Sequence, residues 1–304
     1  MTNIGRLILD LFSHLFNTSG SGKTRLILDG LCKNWGFYVS CRPKVIGPRG
    51  SSDFRVTTET ISDMSGWNTK GEVGDENARL ADRGFSMLLL ARIYVLSRFL
   101  EAVPVKERLD NTRRRWVFLQ IMPASFNGRA DIFTVILQSL RSGDGSSVLK
   151  LAREFLQKCR DNTRLFGSTP LYLAADEAQE GLTIHKDLYR STSGNHRRPV
   201  LHAFYRFLDG TELFSGFIIA GTGLSMTQLE RSVGSISAAR VGRPPVVFTD
   251  TVHFTGDESD MAQKNYILRY LGMLGDKSDR LLERILYWFH GRYLHLSQPS
   301  FLRY

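Results

Sequence analysis

Residues 18–24 read Thr-Ser-Gly-Ser-Gly-Lys-Thr, and this stretch decides the predicted fold. An apolar segment at 7–16 precedes it, and apolar residues at helical spacing follow it at 24–33. A strand, a glycine-rich turn and a helix in this order are typical of a phosphate-binding loop. Glycines let successive backbone N–H groups converge on an anion, and the N-terminus of the helix adds partial positive charge. The sequence therefore predicts a site for nucleotide phosphates.

The residue types in this loop indicate their roles. Lys23 is expected to reach the β- and γ-phosphates of ATP and to assist catalysis there, and the hydroxyl of Thr24 is expected to bind Mg²⁺. Asn17 stands where the usual pattern begins with glycine. Because asparagine tolerates left-handed backbone angles better than most residues, we expect the turn to form, with weaker binding. The predicted nucleotide-binding residues of this segment are Thr18, Ser19, Gly20, Ser21, Gly22, Lys23, Thr24 and Arg25.

A second candidate motif is the acidic pair Asp176 and Glu177, which directly follows the apolar segment 171–175. An anion that emerges from a buried strand needs a partner or a function. In P-loop ATPases the aspartate at this place holds Mg²⁺, and an adjacent glutamate can activate the attacking water as a general base. We therefore predict Asp176 and Thr24 as metal-binding residues and Glu177 as catalytic, with a structural acidic turn as the alternative.

Other polar residues near predicted strand ends allow two interpretations each. Thr222 follows the apolar segment 217–220, where it either contacts the γ-phosphate or belongs to a simple Gly-Thr-Gly turn. Gln179 contacts nucleotide, couples to a partner, or is an ordinary residue at a helix start. Asp250 fits a strand-end turn better than a nuclease carboxylate. Several arginines could stabilise charge on the transferred phosphoryl group, although each alone fits an ordinary surface position better. The sequence does not rank them; they are Arg197, Arg198, Arg231, Arg240 and Arg243.

The remaining apolar patterns predict the fold class. Strands are expected at 37–40, 116–122, 171–175, 217–220 and 246–248, and helices at 77–103, 132–140 and 148–159. Apolar strands separated by helical connections imply a mainly parallel sheet covered on both faces. The predicted fold is thus α/β, a three-layer α/β/α sandwich of the P-loop NTPase type, followed by a small helical part.

The predicted core spans residues 1–255. It contains an irregular insertion at about 51–74, which is polar and weakly periodic, and a helical insertion at about 77–112. Residues 256–304 are expected to form a helical C-terminal subdomain that is truncated.

The composition is that of an ordinary folded protein with a basic surface. The 304 residues include 40 basic and 30 acidic side chains, a net charge of +10, which favours polyanions; a merely solvated basic surface is an equal alternative. Three irregularly spaced cysteines argue against a disulfide framework and against a cysteine-based zinc site. No segment has the length and apolarity of a membrane span, and no signal peptide is recognised. We expect an intracellular protein, in the cytoplasm or nucleus.

Several stretches together resemble a family of fungal P-loop proteins related to the Crinkler effectors and to the retrotransposon hot spot proteins of trypanosomes. The matching segments are 18–26, 34–38, 176–179, 221–225, 248–251 and 288–293. The resemblance implies an ATPase of the additional-strand class, akin to the AAA and STAND groups and often one module of a longer protein. In such relatives the module can accompany an N-terminal targeting region or a C-terminal nuclease-like domain. Asn17 departs from the glycine that is usual in the family.

Three functions remain as hypotheses at the level of the sequence. The first is Mg²⁺-dependent hydrolysis of ATP. The second is a nucleotide-dependent switch or effector module that acts on a host or partner protein. The third, an ATPase module of a nucleic-acid-processing protein, depends on charge and analogy alone. A homo-oligomer in which a neighbouring subunit supplies an arginine is left open.

Overall fold

The computed structural model describes residues 13–16, 22–42, 50–69, 75–125, 130–191, 194–222 and 246–248. The helices in these ranges are α1 Lys23–Lys33, α2 Asp53–Asp63, α3 Asp75–Glu101, α4 Leu109–Ile121, α5 Ile132–Ser139, α6 Gly145–Asp161, α7 Ala178–Gly181 and α8 Val200–Thr211, with a 3-10 turn at Pro123–Ser125. The strands are β1 Ser13–Phe16, β2 Gly36–Ser40, β3 Tyr172–Asp176, β4 Tyr189–Ser191, β5 Gly194–Arg198, β6 Gly216–Gly221 and β7 Val246–Phe248.

Five of the strands form one parallel sheet in the order β2-β3-β6-β1-β7. In the sheet register Val39 lies beside Ala175, and Ala175 lies beside Ile219. Because all five strands run in the same direction, their carboxyl ends meet at one edge. The prediction of an α/β fold with a parallel sheet is confirmed. Strands β4 and β5 form a separate antiparallel hairpin that the sequence did not predict.

Helices pack on both faces of the sheet because alternate strand residues point to opposite sides. Tyr38, Ala174 and Ile218 belong to a smaller apolar cluster with residues of α1 and α4. Their chain neighbours, such as Val39 and Ala175, belong to the larger cluster that contains α3 and α8. Every residue of β2, β3 and β6 is buried, as expected for strands covered on both sides.

Helix α3 is the longest element and confirms the helix predicted at 77–103. All residues from 84 to 93 are buried, so the middle of this helix is enclosed on every side within the larger cluster. No helix among the described residues combines the length and apolarity needed to cross a bilayer.

The strand predicted at 116–122 is wrong, because these residues form the end of α4 and the start of the turn that follows. Trp116, Val117 and Gln120 are buried, whereas Phe118 is 45% exposed, a pattern with helical and not strand periodicity. A short apolar run does not distinguish the two structures by itself. Instead of adding a strand, α4 lies beside the outer edge of β2 and bonds to its backbone.

The free edge of β2 is bonded by side chains. Gly36 O accepts hydrogen bonds from Trp116 Nε1 at 2.9 Å and from Gln120 Nε2 at 3.2 Å. Tyr38 N donates to Gln120 Oε1 at 2.8 Å, and Tyr38 O accepts from Arg92 Nη1 at 2.8 Å. These four bonds satisfy backbone groups that a sixth strand would otherwise pair.

The irregular insertion predicted at about 51–74 is also wrong in its first half, where α2 lies. Its hydroxyl side chains bond back to the helix itself: Thr57 Oγ1 donates to Asp53 O at 2.8 Å and Thr58 Oγ1 donates to Arg55 O at 2.7 Å. Asp53 is fully buried and pairs with Arg92 of α3 at 2.6 and 2.9 Å. The polar composition therefore comes from side chains with buried partners, and not from an irregular loop. Residues 70–74 and the predicted C-terminal subdomain at 256–304 lie outside the described residues.

Candidate functional site

The two motifs singled out in the sequence meet at the carboxyl edge of the parallel sheet. Thr24 is in the first turn of α1, and Asp176 is the last residue of β3. The Thr24 hydroxyl donates to Asp176 Oδ2 at 2.7 Å, across 152 residues of chain. Tyr38, from β2, donates its phenolic hydroxyl to the same oxygen at 2.8 Å. The other oxygen of Asp176 accepts a bond from Glu177 N at 2.9 Å.

The Asp176 carboxylate is only 3% exposed. Burial raises its pKa above the ordinary value, although hydrogen bonds from Thr24 and Tyr38 act in the opposite direction. A buried carboxylate beside a hydroxyl offers hard oxygen ligands, which are the type that Mg²⁺ prefers. The chemistry of Asp176 and Thr24 therefore fits a magnesium ion.

Lys23, the first residue of α1, is 7% exposed. Burial lowers the pKa of its ammonium group, while the neighbouring charges of Asp176 and Glu177 act in the opposite direction. Lysine is almost never fully buried without a partner of opposite charge. Lys23 thus places a positive charge at the start of α1 and near Asp176 and Glu177, where phosphate oxygens could bind.

Helix α1 begins after Gly22, whose φ of +85° lies in the left-handed region that favours glycine. The N-cap residue, Gly22, has no side chain that could cap this end of the helix, and the first turn contains no acidic residue. The first N–H groups of a helix need partners from outside it. The start of α1 is thus suited to an anion.

Glu177 directly follows β3 and also has a left-handed backbone, with φ 55° and ψ 40°. A non-glycine residue in this region costs on the order of 1–3 kcal/mol, and such positions cluster at functional sites. Its Oε1 is paired with the guanidinium of Arg42, and its Oε2 accepts from Gln179 Nε2 at 2.6 Å. Burial alone would raise the pKa of Glu177, but the bonds from Arg42 and Gln179 outweigh it, so the pKa lies below its ordinary value.

Gln179 extends this network to the neighbouring strand. Its Oε1 accepts a hydrogen bond from Thr222 N at 3.0 Å, directly after the end of β6. Arg42, Glu177 and Thr222 each lie one or two residues beyond the end of a strand. The network therefore connects three neighbouring strands of the sheet.

The structure brings together the predicted residues Lys23, Thr24, Asp176, Glu177 and Thr222. Arg25 is half exposed and pairs with Asp29 at 3.6 Å on the surface of α1. Arg197 and Arg198 lie on β5, in the hairpin outside the parallel sheet. The other predicted positions lie outside the described residues: Asn17, Thr18, Ser19, Gly20, Ser21, Arg231, Arg240, Arg243 and Asp250.

Two residues of the site were missed in the sequence. Tyr38 was read only as part of a buried strand, although a buried tyrosine hydroxyl normally needs a partner and so signals a polar neighbour. Arg42 follows that strand by two residues, and nothing in the sequence marks it as different from the other arginines. Its position becomes meaningful only when β2 and β3 are known to be neighbours.

Among the described residues, no group of three or more His, Cys, Asp or Glu side chains could hold a metal ion. Mg²⁺ does not need such a cluster, because one or two carboxylates together with substrate phosphates usually bind it. No protein-family model and no curated protein matches the chain.

Proposed function

We propose that this chain is a P-loop protein that binds ATP with Mg²⁺ and hydrolyses it. The observation that carries the proposal is the 2.7 Å bond between Thr24 and Asp176, formed beside the buried Lys23. Lys23 and Thr24 of the first motif lie near Asp176 of the second, and this arrangement is suited to phosphate and magnesium. The family resemblance of the sequence, to Crinkler-related P-loop proteins, agrees with this function.

The strand order supports the same proposal. Strand β1 leads toward the glycine-rich segment, β3 carries the acidic pair, and β6 lies between them. One strand inserted at this place is what the additional-strand class of P-loop ATPases is expected to have. A three-layer P-loop sandwich is therefore the fold that we propose for the core.

The roles of the residues follow from their positions. The backbone N–H groups at the start of α1 and the Lys23 ammonium would bind the phosphates. Thr24 Oγ1 and Asp176 would hold Mg²⁺, directly or through water, and the bound ion would neutralise phosphate charge. Glu177 would accept the proton of the attacking water. Asp176 is kept in place by Tyr38, and Glu177 by Arg42 and Gln179.

One observation favours a second candidate, a nucleotide-dependent switch with little turnover. Both carboxylate oxygens of Glu177 already accept bonds from Arg42 and Gln179, and its pKa is low. A carboxylate paired with a guanidinium is a poor general base until the bond to Arg42 is released. Binding of nucleotide would then alter the conformation, and a partner protein would recognise the change.

The test is to measure nucleotide binding and phosphate release by the purified chain, with and without Mg²⁺. Lys23→Ala should weaken ATP binding by about tenfold or more, the loss expected for one charge-assisted bond. Lys33→Ala, at the exposed far end of the same helix, is the matched control and should bind as the parent does. Equal affinities of all three proteins would refute a phosphate site at Lys23.

Glu177→Gln separates the two candidates. For an ATPase it should abolish phosphate release and retain binding. If the parent protein binds ATP tightly but releases no phosphate, the switch is the better assignment.

A further inference from the structure

The sequence left the role of Gln179 open, and the structure places this residue between Glu177 and Thr222. Its side-chain amide lies between Glu177 Oε2, to which it donates at 2.6 Å, and Thr222 N, from which it accepts at 3.0 Å. We propose that Gln179 is a positioning residue that orients the Glu177 carboxylate and couples it to the end of β6. This inference builds on the proposed function of the site.

The direction of the amide is set by its two neighbours. An ionised carboxylate only accepts hydrogen bonds, and a backbone N–H only donates them. A flipped amide would place its oxygen against the Glu177 carboxylate and its NH₂ group against the Thr222 N–H. Only one orientation satisfies both partners, so glutamine is chemically suited to this position in a way that glutamate is not.

The two hydrogen bonds of Gln179, to Glu177 and to Thr222, form a bridge whose backbone is held in place by packing. Gln179 lies on the short helix α7, which directly follows the left-handed Glu177. Ala178 and Gly181 of this helix are buried, and a Cβ atom added at Gly181 would lie 3.2 Å from the side chain of Leu201. The close packing of α7 against α8 holds the backbone of Gln179 in place. A movement of Thr222 is therefore passed to Glu177 by the side chain of Gln179.

The two residues that Gln179 connects, Glu177 and Thr222, directly follow strands that pair with each other. Strands β3 and β6 are neighbours in the sheet, with Ala175 beside Ile219. Thr222 follows β6, which lies between β3, the strand that Glu177 follows, and β1, the strand that precedes the phosphate-binding segment. A terminal phosphate that shifts the backbone at Thr222 would lengthen or shorten its bond to Gln179. The position of the Glu177 carboxylate would follow.

The first experiment compares Gln179→Glu with Gln179→Leu. The glutamate variant keeps an acceptor for Thr222 N but places a negative oxygen against Glu177, and the leucine variant removes both bonds. Both should lower kcat by about tenfold, as expected for loss of one bond to a charged group, while the Kd of a non-hydrolysable ATP analogue stays within about twofold. Gln157→Glu, on the exposed face of α6, is the control for the added charge. An unchanged kcat in both Gln179 variants would overturn the positioning role.

The second experiment does not need turnover. Hydrogen–deuterium exchange of the Thr222 amide should be faster in Gln179→Leu, because its acceptor is lost, and should stay slow in Gln179→Glu. Glu177→Ala should speed exchange at Thr222 in the parent chain, but should add nothing in Gln179→Leu. Equal exchange in parent and Gln179→Leu, or no effect of Glu177→Ala, would overturn the coupling.

The two experiments also separate this inference from the proposed function. Failure of the proposed function would appear as ATP binding that is absent or insensitive to Lys23→Ala. The exchange measurement decides whether the bridge exists in either case.

Discussion

Single residues at the start of α1 determine whether the chain can present backbone N–H groups to a phosphate. Gly22 precedes the helix with a positive φ, whereas Gly30, near its other end, has no positive φ, and a Cβ atom added there would meet no neighbour within 4 Å. The two glycines of one helix therefore differ in what they require. The first is needed for the backbone angle, and the second is replaceable.

Gly22→Ala should destabilise the protein and weaken ATP binding. A residue with a Cβ atom pays about 1–2 kcal/mol in the left-handed region, and relief of this strain would move the N–H groups that follow. Gly30→Ala is the matched control, and it should raise the free energy of unfolding by about 0.5–1 kcal/mol because alanine favours the helix interior. Urea unfolding and nucleotide titration measure both effects. Similar losses in the two variants would contradict the assignment of Gly22.

Tyr38 is the second residue whose role can be isolated. Tyr38→Phe removes one of the two hydroxyls that donate to Asp176 Oδ2 and leaves the backbone bonds of Tyr38 intact. We expect a loss of about 1 kcal/mol in the free energy of unfolding and a weaker dependence of nucleotide binding on Mg²⁺. Tyr94→Phe, in a ring that packs on Phe155, is the control. A Tyr38→Phe protein with unchanged stability and Mg²⁺ response would show that this hydroxyl is dispensable.

At the scale of elements, a buried ion pair connects α2, α3 and β2. Arg92 of α3 is fully buried, bonds to both carboxylate oxygens of Asp53, donates to Tyr38 O and lies 4.9 Å from the ring centre of Phe133. Because Tyr38 also bonds to Asp176, this pair lies behind the strand that supports the candidate site. The helices on this face thus help to fix the position of β2.

Arg92→Met should therefore destabilise the fold by about 3–5 kcal/mol, because it leaves the carboxylate of Asp53 buried without its partner. Adding Asp53→Asn should recover part of the loss, since the unpaired charge is then gone. Arg55→Met, which breaks the more exposed pair with Glu59, should cost less than about 1 kcal/mol. Chemical denaturation of these three proteins, and of Asp53→Asn alone, measures these differences. Additive effects of the Arg92 and Asp53 changes would argue against a coupled pair.

At the scale of the whole molecule, the half-buried His185 should make stability depend on pH. Burial lowers the pKa of His185 to about 4, and its ring nitrogens bond to Ser62 at 2.7 Å and to Tyr189 at 3.0 Å. Between its unfolded pKa of about 6.5 and the folded value, only the unfolded chain binds the proton. Stability should therefore fall as the pH drops through this range.

His185→Gln tests this contribution. The variant should lose less stability than the parent between pH 7 and pH 5, measured as the change in urea midpoint. Carboxylates titrate in both proteins, so the difference between the two slopes is the quantity to compare. Parallel slopes would show that His185 does not contribute to the pH dependence.

The parts of the fold that could be predicted are those with a strong local pattern. Strands β2, β3 and β6 are short apolar runs, and a polar residue lies at or directly after the end of each; α1 and α3 have clear helical spacing. The failures at 51–63 and 116–121 share one cause: buried polar residues, Asp53 and Gln120, have partners far away in the sequence. A single sequence does not show which distant residue will supply the partner.

The same limit applies to the site. The pairing of Thr24 with Asp176 was predictable because each belongs to a motif that has a known position relative to a strand. Arg42 and the bridge through Gln179 depend on the order of the strands, and the local sequence does not contain this order. Binding of a nucleic acid by the +10 charge is a separate prediction, which salt-dependent binding measurements would test.

The side chains of α3 and α4 that bond to the edge of β2 limit how this protein can associate. An exposed sheet edge invites an extended peptide or a second copy to pair with it, and it is also a risk for aggregation. At β2 the carbonyl of Gly36 and both backbone groups of Tyr38 are already bonded to Trp116, Gln120 and Arg92. A partner therefore cannot bind by extending the sheet at Gly36 and Tyr38 and must use another surface. Loss of the Gln120 side chain would expose backbone groups of β2 and promote self-association.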